Sequence, residues 1–174
     1  MSDAPQSIST TSPVTNSHAL HVIELFAGIG ADGNPVAERL QVIIHEDNSC
    51  QLVKSPAFVK GIASGDVIKL ESGGEEFTIL QRSGNLSIRV FCRDDSSELV
   101  DELTPPLEKL GAELDIETPR MLVYSIHVSC GFQSIENILN AVASDDVAWM
   151  YGNVYDPSDG VTPLNWWQEI LKPE

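Results

Sequence analysis

The stretch Leu86–Ser129, LSIRVFCRDDSSELVDELTPPLEKLGAELDIETPRMLVYSIHVS, decides how this chain is read. Its first seven residues, LSIRVFC, include the β-formers Ile88, Val90 and Phe91 and read as a strand. Asp95 then stands as an N-cap, with Glu98 three residues on as its capping-box partner. Leu99, Leu103, Leu107 and Leu110 follow at spacings of four, four and three, one face of a helix. Pro105 and Pro106 are expected to kink or split that helix, and Gly111 to end it. AELDIET and RMLVYSIHVS read as a strand pair turning at Thr118-Pro119. Downstream, SIENILNAVA puts Ile135, Ile138, Leu139 and Val142 on one helical side, and DVAWMYGNVY is a strand. The order βαββαβ is that of a ferredoxin-like split over about 86–156.

Upstream, about residues 19–85 follow another grammar. LHVIELF, ERLQVII, CQLV, DVIKLE and EEFTILQ are five short strands, the last two joined by the hairpin turn SGG. In ERLQVII, Leu40, Val42 and Ile44 face one way, and Arg39, Gln41 and Ile43 the other. Five strands in about 65 residues predict a small β-barrel-like part. The fold class is therefore α+β, a small N-terminal β-barrel-like part packed on a ferredoxin-like part. Residues 1–18, rich in Ser, Thr, Pro and Asn, cannot bury enough apolar surface to order themselves and are expected to be a disordered tail. Residues 157–174 are expected to carry a C-terminal helix, PLNWWQEIL, sealed by Trp166 and Trp167.

Composition limits the function. The 174 residues hold 26 acids and 10 bases, a net charge of -16. Such a surface repels nucleic acid and anionic membranes and attracts basic partners. Three cysteines, Cys50, Cys92 and Cys130, show no metal-ligand spacing, which fits a reducing, cytoplasmic compartment. The N-terminus lacks the basic start and apolar run of a secretory signal. No HExxH, GxSxG, GxGxxG or P-loop occurs. His127 lies near Cys130, but no glycine elbow frames the cysteine. The reading is a protein that is not an enzyme, with no cofactor and no metal.

Two groups of residues stand out. Arg82, Ser83 and Gly84, with Arg89, have the chemistry of an anion site, two guanidiniums beside a glycine turn. Read structurally, the same residues are a turn between the two parts. Acids gather at Asp94, Asp95, Glu98, Asp101 and Glu102, and again at Asp145, Asp146, Asp156 and Asp159 around Trp149 and Tyr151. Carboxylates beside aromatics suit an interface with a basic protein. A solvated acidic face over core aromatics explains them equally.

DGNPVAERLQV, SPAFVKGIASGDVIKLE and LQRSGNLSIRV together resemble a family of uncharacterised bacterial proteins with the pattern PFF…G…GDVV followed by RSGHSTxRV. Gly65-Asp66-Val67 and Arg82-Ser83-Gly84 carry the resemblance most specifically, and Ala57 and Asn85 depart from it. Some acidic relatives look like immunity proteins that neutralise antibacterial toxins. The resemblance and the charge together point to an immunity protein covering the groove of a basic toxin, a nuclease foremost. The alternative is a regulatory protein binding a small ligand in its ferredoxin-like part.

Overall fold

Leu25, Leu40, Val42, Cys50, Leu52, Val59, Ile62 and Ile68 form one buried apolar cluster, and it organises the first part of the chain. The computed structural model describes residues 19–72 and 76–172. The strands are β1 (Leu20–Ile29), β2 (Pro35–Ile44), β3 (Cys50–Leu52), β4 (Val67–Leu70) and β5 (Phe77–Gln81). They form one antiparallel sheet in the order β1-β2-β3-β4-β5. The alternation expected in β2 holds: Leu40 and Val42 are buried, and Arg39 and Gln41 face water. Partly buried Ile23 and Ala27 of β1 and Phe77 and Ile79 of β5 reach the same cluster. The sheet is nevertheless open. Among the described residues β1 pairs only with β2, and β5 only with β4. The two glycines of the SGG turn, residues 73 and 74, lie outside the described residues, as do residues 1–18.

The second part is a four-stranded antiparallel sheet of β6 (Asn85–Cys92), β7 (Glu113–Thr118), β8 (Met121–His127) and β9 (Val147–Tyr151). Their order is β7-β8-β6-β9. Helix α1 (Ser97–Lys109) connects β6 to β7, and α2 (Phe132–Val142) connects β8 to β9. Both helices cover one sheet face. Leu99, Leu103 and Leu107 of α1 and Ile135 and Leu139 of α2 meet Leu86, Ile88, Val90, Leu122, Tyr124 and Ile126. The period-two alternation of strands sends Ser87, Arg89, Val123 and Ser125 to the opposite face, and all four are buried as well. The loop between β3 and β4 covers Arg89, Val123 and Ser125, and Ala57 packs on Met121 and Val123; Ser87 lies against Gly152.

The structure revises three local expectations. Helix α1 runs unbroken through Pro105 and Pro106. The carbonyls left without i+4 donors are those of Asp101 and Glu102, on the exposed side where water reaches them. The helix begins at Ser97 rather than after Asp95. Asp95 accepts the Ser97 N–H at 2.7 Å, while Ser96 is buried and donates its hydroxyl to the Thr118 carbonyl at 2.7 Å. The C-terminal helix shrinks to α3 (Trp167–Ile170). Pro163 is held in a β-bridge with Tyr155, and Asn165 takes a left-handed φ of 62°, so helical geometry cannot begin before it. At the end of α1, Gly111 has φ 98°. Its N–H bonds the Glu108 carbonyl and the Ala112 N–H bonds Leu107, a paired cap that only an achiral residue closes without strain.

Candidate functional site

The two most specific sequence segments, Gly65-Asp66-Val67 and Arg82-Ser83-Gly84, meet in space. Asp66 is 1% exposed, at the turn before β4. One of its oxygens accepts the Ser83 N–H at 2.8 Å and the Ser83 hydroxyl at 3.1 Å. The other accepts the Ala63 N–H at 3.0 Å and lies 3.9 Å from the Arg82 guanidinium. Burial pushes the Asp66 carboxyl above its ordinary value, against the pull of these donors and of Arg82. Arg82 also donates to the Gly61 carbonyl at 3.0 Å and stacks over the Trp166 ring at 5.3 Å. Gly84, with φ 98°, packs against His127: a Cβ there would stand 2.4 Å from its Nε2.

Arg89 projects from the centre of β6 toward the β3–β4 loop and is 2% exposed. Its guanidinium donates to the carbonyls of Phe58 and Val59, and burial lowers its pKa to about 10. The same loop is gripped from its other side. The Glu38 carboxylate, from β2, accepts the N–H groups of Ala57, Phe58 and Val59 at 2.6–2.8 Å. Arg82 and Ser83 thus bind the Asp66 end of the β3–β4 loop, and Arg89 its 58–59 end, so both guanidiniums are engaged by the protein itself. Glu38, which faces the same 57–59 segment as Arg89, carries no sequence signal, because its partners lie about twenty residues away on another element. A second link, also unread in the sequence, joins Asp115 to the Ser55 N–H at 2.8 Å and to the Ser125 hydroxyl. Burial raises the Asp115 carboxyl.

The acidic residues separate into three places. Asp94, Asp95, Glu98 and Glu102, from the end of β6 and the start of α1, face Asp146, from the α2–β9 turn. They line a groove of about 480 Å³ floored by Leu99, Val142 and Val147. Arg93 at its edge pairs with Asp146 at 3.1 Å and donates to the Asp145 carbonyl. Hydrogen bonds from Ser97 hold the Asp95 carboxyl below its usual value. Asp101 and Asp145 are exposed nearby in sequence but do not line the groove. Trp149 and Tyr151 belong elsewhere. They stack edge to face at 5.1 Å, and the Trp149 indole donates to Asn140. Tyr151 is buried, with its hydroxyl bound to Glu136. Asp156 and Asp159 hold the turn that follows β9, accepting from Ser158, Val161 and Thr162.

His127 turns its Nδ1 to Ser129 at 2.8 Å, and burial raises the Cys130 thiol. Among the described residues no group of His, Cys, Asp and Glu is arranged to hold a metal ion. Among them, too, no helix is long and apolar enough to cross a membrane.

Comparison with solved structures finds a protein from Neisseria gonorrhoeae, described as a novel crystal structure of a hypothetical protein. It shares 16% identity at a TM-score of 0.64, over 78% of this chain and 95% of that one. At that identity the likeness is one of fold. No curated protein matches the chain. A family model described as a domain of unknown function (DUF4265) matches residues 38–151, a span that holds Glu38, Asp66, the Arg82-Ser83-Gly84 turn, Arg89 and the acidic groove. The chain belongs to the DUF4265 family.

Proposed function

We propose that this protein acts by binding a basic protein partner through the groove between the start of α1 and the α2–β9 turn. The observation that carries the reading is the convergence of Asp94, Asp95, Glu98, Glu102 and Asp146 from two separate segments over an apolar floor. Like charges brought together repel one another, and a cationic surface relieves that repulsion on docking. The partner class is a basic toxin, a nuclease foremost, since a groove built for phosphates is positive. The protein is then an immunity protein that excludes the substrate by occupying that groove. Three free cysteines, two of them buried, are in keeping with a cytoplasmic setting.

The finer architecture is part of the same reading. The sheet order β7-β8-β6-β9 with both helices on one face supports a ferredoxin-like second part. The shared cluster reached from both β1 and β5 supports a barrel-like curl in the first.

The test is stopped-flow association with the basic protein recovered with it, at low and high salt. Asp94→Lys with Asp95→Lys, and separately Asp145→Lys with Asp146→Lys, should slow association. Glu76→Lys, on the first part, should leave it nearly unchanged. Association that ignores both salt and all three reversals would overturn the proposal, because screening beyond ~8 Å at physiological ionic strength must weaken electrostatic encounter.

A further inference from the structure

From Ala57 to Gly61 the backbone of the β3–β4 loop is held almost residue by residue. Glu38 accepts the N–H groups of Ala57, Phe58 and Val59, and Arg89 donates to the carbonyls of Phe58 and Val59. The Gly61 N–H bonds the Gly152 carbonyl at 2.8 Å, and Arg82 donates to the Gly61 carbonyl at 3.0 Å. Burying a guanidinium is costly, and well-packed apolar side chains often serve stability as well. What the charged clamp supplies is position. Val59 turns inward and is buried, while Phe58 and Lys60 on either side of it are exposed. The loop therefore presents an aromatic ring and an ammonium side by side on a backbone fixed from within.

These two side chains line a cleft of about 360 Å³, with Phe26 from β1, Phe77 from β5 and Pro157 from the segment after β9. Both edge strands of the open sheet thus contribute to it. Phe26 and Phe58 are 46% and 56% exposed, so two of its three rings face water. Lys60 is the single charged side chain lining the cleft. Among the described residues no carboxylate stands within ion-pair distance of it. We infer that this cleft binds a small amphipathic carboxylic acid, its aryl or short alkyl body among Phe26, Phe58 and Phe77 and its carboxylate on the Lys60 ammonium.

The volume stands at the low end of small-molecule sites, about 300–1,000 Å³, which suits one ring or a short chain. The charge to be met is single. A phosphate gathers several donors, but here the N–H groups of 57–59 and 61 and the guanidiniums of Arg82 and Arg89 are already bound. One ammonium remains, the match for a monoanion. Elsewhere on the surface the net charge of -16 favours cations. At the cleft Lys60 reverses that preference, because charges beyond ~8 Å are screened at physiological ionic strength. Fixing the loop beforehand lowers the ordering cost of binding. The inference does not rest on the groove reading, since the groove draws on α1 and the α2–β9 turn, and each stands or falls by its own test.

Titration of the full chain with phenylacetate, phenylacetamide and phenethylamine, followed by amide chemical shifts, reads shape and sign together. Phenylacetate should bind with a Kd on the order of a millimolar, as befits so small a ligand, and move the signals of residues 26–28, 58–60 and 77. The amide should bind about two- to fivefold more weakly, the worth of an exposed ion pair, and the amine more weakly still. Lys60→Ala should bring acid and amide level, and Lys60→Glu should turn the order in favour of the amine. Phe58→Ala should weaken all three by about three- to tenfold, with Phe58→Gln in its place if circular dichroism shows that variant unfolded. Leu20→Ala, at the other end of β1, should change nothing. An amine bound as tightly as the acid would overturn the inference, since the net charge alone explains it. So would acid binding indifferent to both Lys60→Ala and Phe58→Ala, or no shifts at these residues with the acid well above a millimolar. A dimer in sedimentation velocity that is lost on Phe58→Ala, without any response to the acid, would assign the cleft to a second copy instead.

Discussion

Asp66→Asn removes one charge and exchanges one oxygen for an amide, and the structure says why so small a change matters. Both Asp66 oxygens accept backbone N–H groups, from Ser83 at 2.8 Å and from Ala63 at 3.0 Å. An asparagine can flip, but in either orientation its NH₂ confronts one of these donors. One buried N–H is then left unsatisfied, at a cost of ~1–3 kcal/mol. The surviving bonds lose their ionic character, and bonds to charged groups exceed neutral ones by roughly 1 kcal/mol. Relief of carboxylate burial works the other way, since burial already disfavours the ionised form. The balance is a loss of ~2–3 kcal/mol, a large part of the ~5–15 kcal/mol that holds a domain folded. Urea unfolding at neutral pH measures it as a lower midpoint with unchanged slope. Thermal unfolding should shift down by about 5–10 °C, taking ~2–4 °C per kcal/mol for a chain of this size. A midpoint within error of wild type would refute the idea that Asp66 ties the two motif segments together.

Gly84→Ala forces a side chain into φ 98° and against His127. It should cost ~1–3 kcal/mol of stability, and adding His127→Ala should recover the contact part but not the backbone part. Trp149→Ala should destabilise by ~2–4 kcal/mol, toward the low end of buried aromatic truncations because the ring is only half-buried; it should leave the rate of partner association unchanged. Asp115 is held above its ordinary value of 3.8 by burial. Its folded form therefore keeps the proton to higher pH than the unfolded chain does. The stability it contributes is full below pH 3.8 and is lost as pH rises through the folded value. The stability difference between wild type and Asp115→Asn should accordingly narrow with rising pH across that window; a widening gap in pH-dependent urea titrations would contradict the burial.

Short-range periodicity made the second part legible. The leucine row of α1, the buried side of α2 and the strand pair at Thr118-Pro119 each repeat at the spacing of the element they form, so residue order alone located them. The prolines misled because their effect depends on which side of α1 loses its hydrogen bonds. Asn165 and the Tyr155–Pro163 bridge stopped the C-terminal helix through contacts outside the helical stretch itself. At the candidate sites the sequence marked Asp66 and Ser83 as special but not as partners. Glu38 was invisible: a single acid in an alternating strand looks solvent-facing until the 57–59 amides are brought over it. The acid groups at 94–102 and 145–146 were visible as composition, and only the packing of α1 against α2 shows that they share a groove.

The two-sided burial of the second sheet bears on what can be inherited or expressed as a unit. Arg89 and Ser125 face the β3–β4 loop and find hydrogen-bond partners in it. A fragment beginning at residue 86 would present a buried guanidinium and an apolar strip of Met121 and Val123 to water, with nothing to receive them. The cut that looks natural in the sequence, between the five-strand part and the βαββαβ part, therefore severs the hydrogen bonds that Arg89 and Ser125 make to the β3–β4 loop. Unfolding should be a single transition seen alike from Trp149 and from the first sheet. Recombination that exchanges the second part alone would have to carry residues 55–66 with it, and the family match, residues 38–151, includes that segment, its Glu38 clamp and the sheet it covers.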